Sequence, residues 1–187
     1  EAGVINGYPD GTFRPNQSIN RGQAANLFMR ALQLEVSTIT HNFDDVTPNS
    51  PYFDAANATK AAGIFNGKND GKTFGALDTL TREQMASVLV RAFDLQPKDV
   101  QVNLTDLDQV SETHRKSVEI LYQNGITTGR ANGEFDPHAP VTRVQFVVFL
   151  SRAMKLTNSD KNLETNKVTF LDVTDNSFGK DEIYQLV

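Results

Sequence analysis

Neither cysteine nor tryptophan occurs among the 187 residues. The first absence excludes disulfides and thiolate metal sites and leaves the redox compartment open. Positive charge is also scarce: 18 Lys and Arg against 23 Asp and Glu give a net charge of −5 and a pI near 5.2. No basic stripe is visible, so a nucleic-acid partner, which needs one to engage phosphates, is not expected. No apolar run approaches the roughly 18–20 residues of a membrane span, so no membrane insertion is expected either. His41, His114 and His138 fall at unrelated places and suggest neither a metal cluster nor a His-centred triad, and no cofactor motif is present.

What the chain does have is repetition. Arg21, Arg82 and Arg143 lie 61 residues apart, inside Ile-Asn-Arg-Gly-Gln, Leu-Thr-Arg-Glu-Gln and Val-Thr-Arg-Val-Gln. A second arginine recurs at Arg30, Arg91 and Arg152. The glycine pairs Gly3/Gly7, Gly63/Gly67 and Gly125/Gly129 keep the same phase, as do Gly11, Gly71 and Gly133 with Phe13, Phe74 and Phe135 after them. Phe43-Asp44-Asp45-Val46, Leu104-Thr105-Asp106-Leu107 and Phe170-Leu171-Asp172-Val173 open successive units. The frame divides the chain into a partial repeat at 1–35, whole repeats at 43–95 and 104–156, and the start of a fourth at 170–187. Such phasing reads as a piece of something larger.

Periodicity makes the fold mainly α, a tandem array of two-helix repeats with long connecting loops. Ala24, Leu27, Phe28, Ala31 and Leu32 form one apolar helical stripe; Met85, Val88, Leu89, Ala92 and Phe93 form another, and Phe146, Phe149, Leu150, Ala153 and Met154 a third. Asn20, Thr81 and Thr142 are good N-caps, and Gln23, Gln84 and Gln145 stand at capping-box spacing, which gives them a structural role. An earlier helix in each repeat is expected over 52–62, 112–123 and 178–187. About eighteen residues rich in Gly, Asn and Asp separate the two helices, a length usually tied to function. Residues 36–42, 96–103 and 157–169 read as linkers, the last being the most polar.

The first arginine of each repeat is the functional candidate. It occupies the first helical position, where unpaired N–H groups already create positive potential and a cation is mildly unfavourable. Two compensations are open. An anionic ligand could sit between backbone donors and a bidentate guanidinium, or Asp45, Asp106 and Asp172 could form ion pairs with the arginines. Arg30, Arg91 and Arg152 lie near the helix C-terminus, where positive charge is welcome, and are read as structural. Gly67 and its counterparts Gly7 and Gly129 serve backbone geometry and could allow a ligand to approach closely. Tyr52 and Phe53 either pack internally or offer a face to a sugar. Asp70-Gly71 lacks the alternating oxygen ligands of a calcium loop.

Taken together, these residues resemble the S-layer homology family over nearly the whole chain. The match runs through Phe-x-Asp-Val, an aromatic-led helix, Gly-Ile-Phe-Asn-Gly, Asp70-Gly71 with Phe74, and Leu-Thr-Arg-Glu before an amphipathic helix. The resemblance implies a pseudo-threefold helical assembly with grooves between its prongs. It also implies a non-catalytic, extracellular module of the bacterial envelope or S-layer that binds a secondary cell-wall polysaccharide, commonly one bearing pyruvate ketals on N-acetylmannosamine. The family's groove arginine maps onto Arg21, Arg82 and Arg143, and a pyruvate ketal presents a carboxylate. Departures from the pattern predict unequal grooves, with the second repeat the best preserved and the first repeat's groove compromised by its missing helix. Gln replaces the motif's final Glu in all three copies, Asn20 replaces Thr, Ala76 replaces the Pro of the other repeats, and Tyr52 or Phe53, His114 and Phe178 stand where the family often has Trp. The incomplete ends could be filled by the 178–187 helix in cis or in a neighbouring molecule, which leaves self-association open. A helical scaffold for protein contacts and an appendage of a cell-wall enzyme are the alternatives.

Overall fold

The computed structural model describes residues 3–36, 38, 43–68, 71–159 and 168–187. His41, Asp70 and parts of the 36–42 and 157–169 linkers lie outside them. The described residues carry six α-helices, α1 (Arg21–Ala31), α2 (Phe53–Ala61), α3 (Arg82–Ala92), α4 (Glu112–Gln123), α5 (Arg143–Thr157) and α6 (Lys180–Leu186), with one short 3-10 turn at Leu107–Gln109. Among them are isolated bridges but no extended strand. The fold is the mainly helical repeat expected. No helix among these residues is long and apolar enough to cross a membrane.

Each long helix begins where the sequence places it. Asn20, Thr81 and Thr142 accept from the N–H of Gln23, Gln84 and Gln145, whose side chains answer the cap N–H groups, so all three capping boxes form. The apolar stripes turn inward around a shared centre, where the Phe28 ring meets Phe65 and Phe146 edge-on at 6.2 and 5.5 Å. Phe13, Phe74 and Phe135, the repeated loop phenylalanines, are fully buried. Each such burial contributes roughly 1.5–3 kcal/mol.

The threefold relation is visible in one ring of hydrogen bonds. Ile19 N–H donates to Val141 O at 2.9 Å, Val141 N–H to Leu80 O at 2.9 Å, and Leu80 N–H to Ile19 O at 3.1 Å, closing a cycle through all three repeats. The loop of one repeat then caps the long helix of another. Arg21 and Gly22 donate to Asp78 O and Ala76 O, Arg82 and Glu83 to Ala139 O and Pro137 O, and Arg143 and Val144 to Gln17 O and Pro15 O.

The partial repeats at the two ends combine in cis. α2 packs on α1 and α4 on α3, and α6 packs on α5 in the same way. Val4 and Ile5 N–H both donate to Leu186 O at 2.7 and 2.9 Å, as Ile64 and Phe65 donate to Thr59 O after α2. α6 therefore serves as the opening helix of the repeat that continues through Gly3 into α1. Ile183 and Leu186 are buried there, so the helix fills the vacancy within its own molecule.

Candidate functional site

Arg21, Arg82 and Arg143 are only 6, 3 and 7% exposed, although each is the first residue of its helix. Each sends Nε to the carbonyl of a loop phenylalanine: Arg21 to Phe74 O at 2.9 Å, Arg82 to Phe135 O at 2.6 Å and Arg143 to Phe13 O at 2.8 Å. Aromatic rings flank the guanidinium carbons. Phe65 and Phe74 lie 5.0 and 5.4 Å from Arg21, Phe135 and Phe149 lie 4.8 and 5.4 Å from Arg82, and Tyr8 and Phe13 lie 5.0 and 4.7 Å from Arg143. These distances suit cation–π attraction.

The expected ion pairs with aspartate are absent among the described residues. Asp45 accepts from Phe74 and Gly75 N–H at 2.7 Å each, Asp106 from Phe135 and Asp136 at 2.7 Å each, and Asp172 from Phe13 and Arg14 at 2.6 and 2.7 Å. The carboxylate and the guanidinium thus grip the peptide that follows each phenylalanine, the guanidinium at its carbonyl and the carboxylate at its N–H. Burial by itself would raise the Asp45 carboxyl, yet the N–H groups of Phe74, Gly75 and Ala76 hold it below its ordinary value. Burial lowers all three arginines, and Arg82, with Arg130 adding repulsion, is brought down to about 10.

The backbone half of the expected anion site is also corrected. The first two N–H groups of each long helix bond to loop carbonyls and the third to the cap side chain, so the guanidinium carries the electrostatics. Beside Arg21 a cleft of about 250 Å³ is lined by Asn66, Gly67, Lys68, Gln84, Arg91 and His114, among others. Beside Arg82 a cleft of about 270 Å³ repeats the plan with Thr128, Gly129, Arg130, Gln145, Arg152 and Phe178. Among the described residues neither lining includes an acidic side chain. Lys68 and Arg130 reach outward to Asp78 and Asp136. Arg91 and Arg152 donate to Ile64 O and Ile126 O, the carbonyls just past α2 and α4.

Around Arg143 the plan changes. Nη2 donates to Asn6 O at 3.0 Å, and the Tyr8 ring beside Arg143 also carries Arg14 at 3.8 Å. Among the described residues this arginine has one more hydrogen-bond partner than its two counterparts.

The same repeats are found by comparison with known proteins. A model of the S-layer homology domain matches residues 1–25, 42–86 and 103–147. The chain belongs to the S-layer homology domain family. Its relatives include the Surface-layer 125 kDa protein of Lysinibacillus sphaericus, 36% identical over 92% of this chain and 14% of the relative. An amylopullulanase of Thermoanaerobacterium thermosulfurigenes is 29% identical over 76% of this chain and 8% of its own length. The Cellulosome-anchoring protein of Acetivibrio thermocellus is 26% identical over 82% and 36%. The chain spans well under two thirds of each. Family membership places it in the bacterial cell envelope, outside the cytoplasm.

Within this S-layer homology chain the other candidates divide. A methyl group added at Gly22 would lie 2.6 Å from Cγ of Tyr52, so that ring packs over the start of α1. Phe53 is likewise packed against the core. Gly67 and Gly129 line the two clefts, but an added Cβ on either would meet the repeat's own loop: Gly71 Cα at 3.1 Å from Gly67 and Glu134 O at 3.1 Å from Gly129. At Gly7 the obstacle is Phe170. The structural reading of Arg91 and Arg152 agrees with their bonds to Ile64 O and Ile126 O, and both side chains also stand on the cleft walls. Their 61-residue recurrence was the available signal; the burial that turns them inward was not in the sequence.

Proposed function

We propose that this chain is a non-catalytic anchoring module that holds an acidic secondary cell-wall polysaccharide in the clefts beside Arg21 and Arg82, with Arg143 as a third contact. The observation that carries the reading is a set of buried guanidinium groups that meet carbonyls and aromatic faces but, among the described residues, no carboxylate. A buried cation without a counter-ion is costly, and an incoming carboxylate removes that cost. The guanidinium nitrogens beyond Nε, with Arg91 or Arg152 on the facing wall, supply a charge-assisted grip. In a chain of net charge −5, clefts lined by arginine and, among the described residues, by no acid favour an anionic ligand over a neutral one.

A pyruvate ketal on an amino sugar matches this chemistry, since its carboxylate projects from a compact ring. Both clefts fall below the roughly 300–1,000 Å³ of drug-sized pockets, so one sugar residue of a polymer is the fitting unit. Phe178 beside Arg82, and the stems of Arg91 and Arg152, offer apolar surface for that ring. The relatives named above include a surface-layer protein, an amylopullulanase and a cellulosome-anchoring protein, a spread that suits a portable attachment unit.

The test offers purified cell-wall sacculi, with and without pyruvyl groups, to the wild-type chain and to Arg21→Met, Arg82→Met and Arg143→Met. Loss of co-sedimentation with the depyruvylated sacculi and with the Arg21 and Arg82 variants, folding intact, supports the reading. Undiminished binding in both cases rejects it.

A further inference from the structure

The clefts beside Arg21 and Arg82 share an arginine at the helix start, a loop glycine and basic residue, a capping glutamine and a second arginine. They differ at Phe65 against Thr127, at Val88 against Phe149 and at the head of the packed outer helix. His114 on α4 fills that place beside Arg21, whereas Phe178, just before α6, fills it beside Arg82. Phe53 is the counterpart in the remaining repeat. One imidazole thus replaces a phenyl ring in one cleft of the assembly.

The imidazole is fixed and surrounded. Its Nδ1 lies 2.7 Å from Ser87 Oγ on α3, so the ring is oriented while its other edge is left for the cleft. Glu83 and Arg91 approach from α3, and Arg21 at the start of α1 and Lys68 on the intervening loop share the cleft. Its own helix carries Glu112 and Arg115, the latter turned back to Asp108 O and Val110 O. Burial first, with repulsion from Arg91, outweighs Glu83 and keeps the imidazole below its usual value. It is therefore neutral near pH 7 while the cleft holds no anion.

We propose that His114 makes the Arg21 cleft a proton-coupled site for an anionic sugar, and that the Arg82 cleft, with Phe178 in its place, binds without regard to pH. This rests on the anionic-ligand reading given above. A carboxylate docked against Arg21 enters the cluster that opposes protonation of His114 and favours the imidazolium. Binding then takes up a proton, and by linkage affinity rises as pH falls through the imidazole range. It levels off once His114 is charged in both free and bound states. A phenyl ring offers the sugar an apolar face and has nothing to titrate.

The test uses a methyl hexosaminide bearing a 4,6-pyruvate ketal as probe. Calorimetric titration of Arg82→Met/Arg143→Met protein, which retains the Arg21 cleft, should give about tenfold tighter binding at pH 5 than at pH 8, the equivalent of a one-unit change in the titration midpoint. The His114 resonance should show that midpoint moving upward when the probe is bound. His114→Gln, which keeps a partner for Ser87 and cannot titrate, should bind equally at both pH values. Probe bound without pH dependence, or pH dependence that survives in His114→Gln, overturns the inference while leaving the anionic-ligand reading standing. Failure of the wild-type protein to bind the probe at any pH rejects that underlying reading, and this inference with it.

Discussion

Arg82 and Asp106 never touch, yet both hold Phe135: Arg82 Nε takes its carbonyl at 2.6 Å and the Asp106 carboxylate takes its N–H at 2.7 Å. The Asp106 carboxylate also takes the N–H of Asp136 at 2.7 Å. The Phe135–Asp136 peptide, with its carbonyl on Arg82 and its N–H on Asp106, thus keeps cation and anion apart and orients both. The carboxylate is satisfied by loop amides, while the guanidinium lines the cleft. The same relationship recurs through Phe74 and Phe13.

Replacing Arg82 with Met should therefore separate binding from stability. The change removes a buried cation but leaves the Phe135 carbonyl short of one donor, two effects of similar size and opposite sign. Unfolding by urea should give a stability within about 1 kcal/mol of wild type. Affinity for the acidic polymer should fall at least tenfold in the same preparation. A large loss of stability with binding retained would make Arg82 a structural residue.

Asp45 should govern acid tolerance. Its folded carboxyl lies below the unfolded value of about 3.9, so its contribution is fully present above that value and disappears as pH falls through the lowered folded one. In Asp45→Asn, denaturant midpoints measured at pH 7 and pH 3 should lie closer together than in the wild type. An unchanged gap would mean that the loop amides near Phe74 do not depend on the charge.

Closure through α6 is testable by a core deletion. Ile183 is fully buried, and Ile183→Ala should cost about 2–5 kcal/mol and lower Tm by roughly 5–15 °C. Sedimentation should show wild-type monomers at micromolar concentration, because the helix completes its own molecule. A stable dimer that dissociates in the Ile183→Ala variant would indicate docking between molecules instead.

Gly22 and Tyr52 should behave as a coupled pair. Alanine at Gly22 gains up to about 1 kcal/mol of helix propensity, but its Cβ would press 2.6 Å from the Tyr52 ring. Overpacking of this kind costs about 1–3 kcal/mol, so Gly22→Ala should destabilise the wild type. In a Tyr52→Ala background the same substitution should become neutral or stabilising, a sign change that a double-mutant cycle reads directly.

Local chemistry made much of this fold legible. The capping residues Asn20, Thr81 and Thr142 mark the helix starts, and the apolar stripes mark the faces that turn inward. The 61-residue phase picks out the three arginines as equivalents. The destination of Asp45, Asp106 and Asp172 was not readable, because a carboxylate can be satisfied equally by a guanidinium or by two loop amides, and only the folded loop decides. The carbonyl caps on the long helices were hidden for the same reason: main-chain partners from another repeat leave no trace in residue identity. Arg91 and Arg152 hold the Ile64 and Ile126 carbonyls, which fits their reading as structural; their place on the cleft walls was not readable from helix-end electrostatics.

The ring of main-chain bonds joining Ile19, Val141 and Leu80 has a mechanical consequence. In an open solenoid the end unit can peel away while its neighbours persist. Here no unit is an end, because each braces the next and is braced by the last. Traction on a cargo fused to such a module should meet a single high barrier, so the grip holds at full strength until it fails all at once.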